Sequence, residues 1–209
     1  MINILLTTAY FAPISYYAAI ANTDKVLIEA NEHYQKKSYR SRCYIAGSHG
    51  KQMLNIPIIR PDGNQTMIKN AILGTTENWQ NQHWNSIITS YNSSPFLLYY
   101  RDEIESVLLA KYDNLWELNK ACLNLMMNLL QLDAEINYTT EFEKDPKDYI
   151  DMRNSISIKN TATIENYTQV FGDKHGFLAD LSILDLLFNL GPDAGYYLTN
   201  NLFSIKRKG

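Results

Sequence analysis

Two short apolar runs near the start of the chain, residues 2–7 and 25–30, bracket a segment with helical spacing. That arrangement constrains the fold more than any other feature. Each run lacks the polar alternation of a half-exposed strand and reads as a strand buried on both faces. Residues 9–13 break the first run. Pro13 is suited to the first turn of a helix, and Ile14, Tyr17, Ala18 and Ala21 form its apolar stripe, which Asn22, Thr23 and Asp24 end. Strand, helix and strand make a βαβ unit, which implies a parallel pair joined by a right-handed crossover. Ligands of such sheets collect at the carboxyl ends of the strands, so residues 7–13 and 29–37 become neighbouring loops at the expected binding edge.

The rest of the chain sets the fold class. Residues 38–46 look extended, Gly47 to Gly50 is a turn, residues 51–59 alternate loosely around Pro57, and residues 67–73 suggest another strand. From Asn78 the period changes. Trp84, Ile87, Ile88 and Tyr91 share a helical face, Ser94 and Pro95 open another helix, and residues 102–110 continue helical. Leu115, Leu118, Cys122, Leu125, Met126, Leu129 and Leu132 repeat at three and four, the clearest amphipathic helix present. Residues 134–143 suggest a strand, 182–190 a helix stopped by Gly191 and Pro192, and Asp193 caps a last turn. The expectation is one α/β domain over residues 1–209, with an N-terminal βαβ unit in a mixed, largely parallel sheet and a helical C-terminal half.

Composition excludes several functions. A net charge of −3 argues against nucleic acid as the main partner. Lys206, Arg207 and Lys208 read as a solvated tail. No stretch approaches the roughly 20 apolar residues of a membrane span, which argues against membrane insertion. The N-terminal run has no basic leader and reads as a strand, not a signal peptide. With only Cys43 and Cys122, both in apolar contexts, the chain is expected to be cytoplasmic with reduced thiols. No phosphate-binding glycine motif, serine elbow or clustered histidine pair occurs, so no metal site is expected, and the sequence assigns no cofactor and no oligomeric state.

The densest polar chemistry lies in residues 32–42, where Glu32, His33, Lys36, Lys37, Arg40 and Arg42 are interleaved with Tyr34 and Tyr39. If residues from Ser38 onward form a strand, Arg40 and Arg42 project on one face. Two guanidinium forks side by side would clamp a carboxylate or phosphate. Lys36 and Lys37 then read as solvated. His33, just past a strand end, is the candidate acid or base near neutral pH, while Tyr10 and Tyr34 are candidate substrate contacts. His83, four residues after Trp79, and His175, in a loop bounded by Gly172 and Gly176, are secondary candidates. His49 is a turn residue.

These residues also carry a family resemblance. The opening Leu5-Leu6-Thr7-Thr8-Ala9-Tyr10-Phe11-Ala12-Pro13, the run from Glu32 through Tyr34, Lys36, Tyr39, Arg40 and Arg42 to Ile45, and the Trp79 and His83-Trp84 segment resemble the WbqC-like protein family. The ending Tyr167, Gln169-Val170-Phe171, His175-Gly176-Phe177 and residues 181–192 is similar to it as well. The resemblance implies an association with surface-polysaccharide (O-antigen-type) gene clusters. The polar stretch beside the first strand's loop suggests an enzyme of surface-sugar metabolism, a group transferase binding an anionic sugar or acyl donor, with Arg40 and Arg42 on the anion, His33 moving a proton, and Tyr10 and Tyr34 lining the site. The alternative is a non-catalytic binding or scaffold protein with a tyrosine-rich surface. In that case the arginines pair internally with carboxylates such as Glu29 or Glu32.

Overall fold

The computed structural model describes residues 2–75, 78–201 and 203–207. Its central element is a four-stranded sheet in the order β7-β2-β1-β8, built from β1 (Asn3–Thr7), β2 (Lys25–Glu29), β7 (Glu135–Tyr138) and β8 (Ile150–Asp151). All three pairings are parallel. The carboxyl ends of the four strands therefore share one edge, marked by Thr7, Glu29, Tyr138 and Asp151. Helix α1 (Ile14–Ala21) crosses between β1 and β2, completing the expected βαβ unit. Every residue of α1 from Ile14 to Ile20 is buried. A helix apolar on all sides must be covered on all sides, and α6 (Ile183–Leu190) and α7 (Asp193–Asn200) cover it away from the sheet.

Helices α2 (Trp79–Tyr91), α3 (Leu97–Leu109) and α4 (Leu115–Leu129) fill the middle of the chain. Asn114 caps α4 by accepting a 2.9 Å hydrogen bond from the Glu117 N–H. Leu115, Leu118, Cys122 and Met126 of the sequence stripe are buried, as the three-and-four spacing requires. At the start of α6 the Ser182 Oγ donates to the Phe11 carbonyl at 2.8 Å, while Ile183 N–H reaches the Ala12 carbonyl at 2.9 Å. The β1–α1 loop is thereby tied to the C-terminal helices. That loop holds Phe11 at φ 35°, a left-handed conformation uncommon for a bulky residue and fixed by the packing around its buried ring.

The smaller sheets are antiparallel pairs: β3 (Arg42–Gly47) with β4 (Gly50–Asn55), β5 (Ile58–Ile59) with β6 (Ile72–Leu73), and β9 (Asn160–Thr163) with β10 (Ser204–Arg207). Several expectations change here. Residues 38–41 are turn and bend, and the strand begins only at Arg42. Residues 51–59 do not form one strand, because the ladder stops at Asn55 and resumes past Pro57. Residues 67–73 are not one strand: a 3-10 turn, Ile68–Asn70, occupies the middle and only Ile72–Leu73 pairs as β6. The segment from Gly172 to His175 is a short helix, α5. The C-terminal basic run is not wholly a tail: the backbone of Lys206 and Arg207 pairs with β9, while Lys208 lies outside the described residues. No helix among the described residues is long and apolar enough to cross a membrane.

Candidate functional site

The carboxyl edge of the parallel sheet collects charge. Glu29, the last residue of β2, is fully buried. Its Oε1 accepts from the Thr139 hydroxyl at 2.6 Å and the Asn31 N–H at 2.9 Å. Its Oε2 accepts from the Glu143 N–H and the Arg153 Nη1, each at 3.0 Å. Arg153, two residues past the end of β8, also forks onto Asp151 through Nε at 3.0 Å and Nη2 at 2.7 Å. That bond holds the Asp151 carboxyl below the usual carboxylate range. Alongside lies a second pair. Arg40 donates from Nε to Glu32 Oε1 at 2.8 Å and from Nη2 to Glu32 Oε2, and both side chains are buried. Burial pushes the Glu32 carboxyl up, while the Arg40 bonds oppose it.

In front of this layer opens a cleft of about 370 Å³. Thr7, at the end of β1, lies within it. Residues 35–40 form one side, and Arg153, Asn154 and residues 156–160 the other. Five of its lining residues are cationic, Lys36, Lys37, Arg40, Arg153 and Lys159, and none is acidic. The arginines are neutralised from behind. Lys36, Lys37 and Lys159 are exposed and make no ion pair among the described residues. Lys37 adopts a left-handed φ of 54°. Among the described residues, none of the backbone N–H groups of residues 36–40 has a backbone acceptor. Turns that leave successive N–H groups uncommitted, beside lysines, are a common way to receive an anion. By contrast, the depression bounded by Ser48, Gln52, Asn85, Ser86 and Thr89 has an uncharged lining.

Of the residues singled out from sequence, Arg40 alone lines this cleft. The strand alternation expected to put Arg40 and Arg42 on one face is absent, because residues 38–41 turn instead of extending. Arg42 opens β3 half-buried, and its Nε has no hydrogen-bond partner among the described residues. Tyr34 is half-buried with its hydroxyl 2.7 Å from the Ser41 Oγ. His33 is exposed and bridges Met67 through its backbone. Tyr10 and His83 meet elsewhere, in the core. The Tyr10 hydroxyl lies 3.0 Å from the His83 Nδ1, with Trp79 packed edge-on to both rings. Burial lowers the His83 pKa to about 4, so the ring is neutral at pH 7. His175 touches the Ser48 carbonyl at 3.0 Å, far along the chain from the others.

Lys36 and Lys37, solvated by the sequence expectation, line the cleft, as do Arg153 and Lys159, which are not among the sequence candidates. A signal was available for the lysines. They directly follow the β2 carboxyl end, where the βαβ rule already placed a binding edge. For Arg153 and Lys159 there was none, because β8 joins the sheet through only two residues.

These features define an α/β protein with a cationic cleft at the carboxyl edge of a parallel sheet. The chain belongs to the WbqC-like protein family, whose model matches residues 8–157. The match includes Lys36, Lys37, Arg40 and Arg153. The chain is also similar to the uncharacterized protein Rv1507c of Mycobacterium tuberculosis (strain ATCC 25618 / H37Rv), with 26% identity over 214 residues, 88% of this chain and 91% of that protein. No solved structure matches.

Proposed function

We propose that this protein binds a small anionic metabolite, a phosphate- or carboxylate-bearing sugar or acyl donor, in the cleft at the carboxyl ends of β1 and β2. The observation that carries the reading is the lining: five cations and no carboxylate, on a chain whose net charge is −3. Cations gathered against that overall charge, in a concave site at a sheet's carboxyl edge, raise the local concentration of an anion and hold it. Lys36, Lys37 and Lys159 supply mobile ammonium groups. Arg40 and Arg153, locked onto Glu32, Glu29 and Asp151, supply a rigid wall behind them.

Group transfer in surface-polysaccharide assembly is the activity that family membership suggests for such a binder. Two buried free thiols, with burial raising the Cys122 pKa to about 12, suit a cytoplasmic setting. A non-catalytic binding role has one observation in its favour: Arg40 pairs internally with Glu32, as that reading requires. Calorimetry against inorganic phosphate, acyl-coenzyme A and nucleotide sugars separates the outcomes. The proposal expects at least one ligand whose affinity falls tenfold or more in the K36A/K37A double variant. If ligands bind equally well to that variant, the cleft is not the site.

A further inference from the structure

The cleft does not end at its far wall. Tyr39, Ile158 and Asn160 line it on one side and on the other bound a neighbouring pocket of about 310 Å³. That pocket is different in kind. Its charged lining is one cation, Lys51, and one anion, Asp180, and the rings of Tyr39 and Tyr44 share that lining.

We propose that this pocket is the second half of a bipartite site, holding the neutral, hydroxyl-bearing body of a ligand whose phosphate lies in the lysine cleft. The ligand class is therefore a sugar phosphate. The inference rests on the anion-binding reading of the cleft and adds the part that selects the ligand.

The geometry supports each element. Asp180 is buried at the pocket wall with φ 53°, and Ser15 fixes it through its N–H at 2.8 Å and its hydroxyl at 3.0 Å. Each carboxylate oxygen accepts one of these bonds and keeps acceptor capacity for a ligand hydroxyl. Lys51 lies over the Tyr44 ring, 5.0 Å from its centroid, and makes no ion pair among the described residues. Its ammonium offers three donors, and the Asn160 Oδ1 adds an acceptor, its Nδ2 being held by the Asn154 and Ser155 carbonyls at 3.1 and 2.6 Å. Tyr39 and Tyr44 stand edge to face, centroids 6.3 Å apart at 88°, presenting apolar surface for the C–H face of a ring. Burial raises the Asp180 carboxyl pKa, and the Ser15 bonds and the Lys51 charge oppose that rise. A carboxylate at this point also repels a second phosphate. The division is clear: charge is recognised in the cleft, hydroxyl groups in the pocket.

The test compares inorganic phosphate with glucose, galactose and N-acetylglucosamine 1-phosphates, and with O-phosphoserine, by calorimetry on the full chain. At least one sugar phosphate should bind ten times or more tighter than phosphate. That gain should vanish in Lys51→Met and in Asp180→Asn while phosphate affinity stays unchanged, and K36A/K37A should weaken both ligands together. Lys51 is exposed, so its variant reports even if the Asp180 substitution disturbs the Ser15 contact. A sugar phosphate that binds no better than phosphate overturns the pocket assignment and leaves the cleft standing. So does a gain that survives Lys51→Met, or one shown by phosphoserine alone. If none of these phosphorylated ligands binds, the pocket assignment fails, and if K36A/K37A leaves every bound ligand unaffected the cleft reading fails and the pocket assignment falls with it.

Discussion

Two charged regions lie back to back at the carboxyl edge of the sheet, and they solve opposite problems. Behind, Glu29, Glu32, Arg40 and Arg153 are buried or nearly so, and each is held by a partner inside the protein. In front, Lys36, Lys37 and Lys159 are exposed and have no carboxylate partner among the described residues. A satisfied buried charge is a structural element, and removing its partner costs stability. An unpaired surface cation contributes little to the fold and is free to meet a ligand. The same division holds elsewhere in the interior. Tyr10 closes on His83, and Asp185 accepts from Tyr91 at 2.8 Å, Tyr167 at 2.5 Å and Gln169 at 2.9 Å.

The comparison is broken most severely by Arg40→Ala, which strands the Glu32 carboxylate in the interior. Loss of roughly 3–5 kcal/mol in urea unfolding is expected. A loss under 1 kcal/mol would mean that the pair is solvated and belongs with the lysines. The next effect is a pH dependence. His83 is neutral in the fold with a pKa of about 4 against an ordinary 6.5, so the unfolded chain binds the extra proton between those values. Stability therefore falls as pH drops through that window, by at most about 3 kcal/mol. The difference between wild type and His83→Gln isolates this contribution, since the buried carboxylates titrate in both. A difference flat from pH 7 to pH 4 would contradict a buried neutral ring.

Tyr91→Phe is smaller. It removes one donor from Asp185 and an acceptor from the Ala46 N–H, which lies 3.1 Å away. Roughly 1–3 kcal/mol of destabilisation is expected by thermal or chemical unfolding. Smallest of all is K36A/K37A, which should leave stability within about 0.5 kcal/mol of wild type. A larger loss would place these lysines in the structural layer and remove the contrast.

How far the sequence carries this picture depends on the range of the interactions. The βαβ start was legible because β1, α1 and β2 are local and their periods are unambiguous. So was α4, whose stripe from Leu115 to Met126 is buried as its spacing demands. The turn at residues 38–41 was not legible, because a polar segment reads alike whether it extends or bends. What bends it is tertiary: Arg40 turns in to Glu32, the Tyr10 N–H bonds the Tyr39 carbonyl at 2.9 Å, and Asn119 Nδ2 reaches the Arg40 carbonyl, also at 2.9 Å. The sheet edge singled out from topology carries the cleft, while the residues that line it are mostly not those selected from sequence. The arginines selected for display are one buried and one half-buried, and the lysines set aside line the cleft.

The central claim is that an anion binds at this edge and nowhere in the interior layer behind it. Backbone amide NMR of the 15N-labelled chain, titrated with inorganic phosphate, tests it most directly. The account predicts saturable shifts confined to residues 35–40 and 153–160, weakened by rising salt and abolished in K36A/K37A. Saturable shifts centred on other elements, or no shifts at millimolar phosphate, would contradict it.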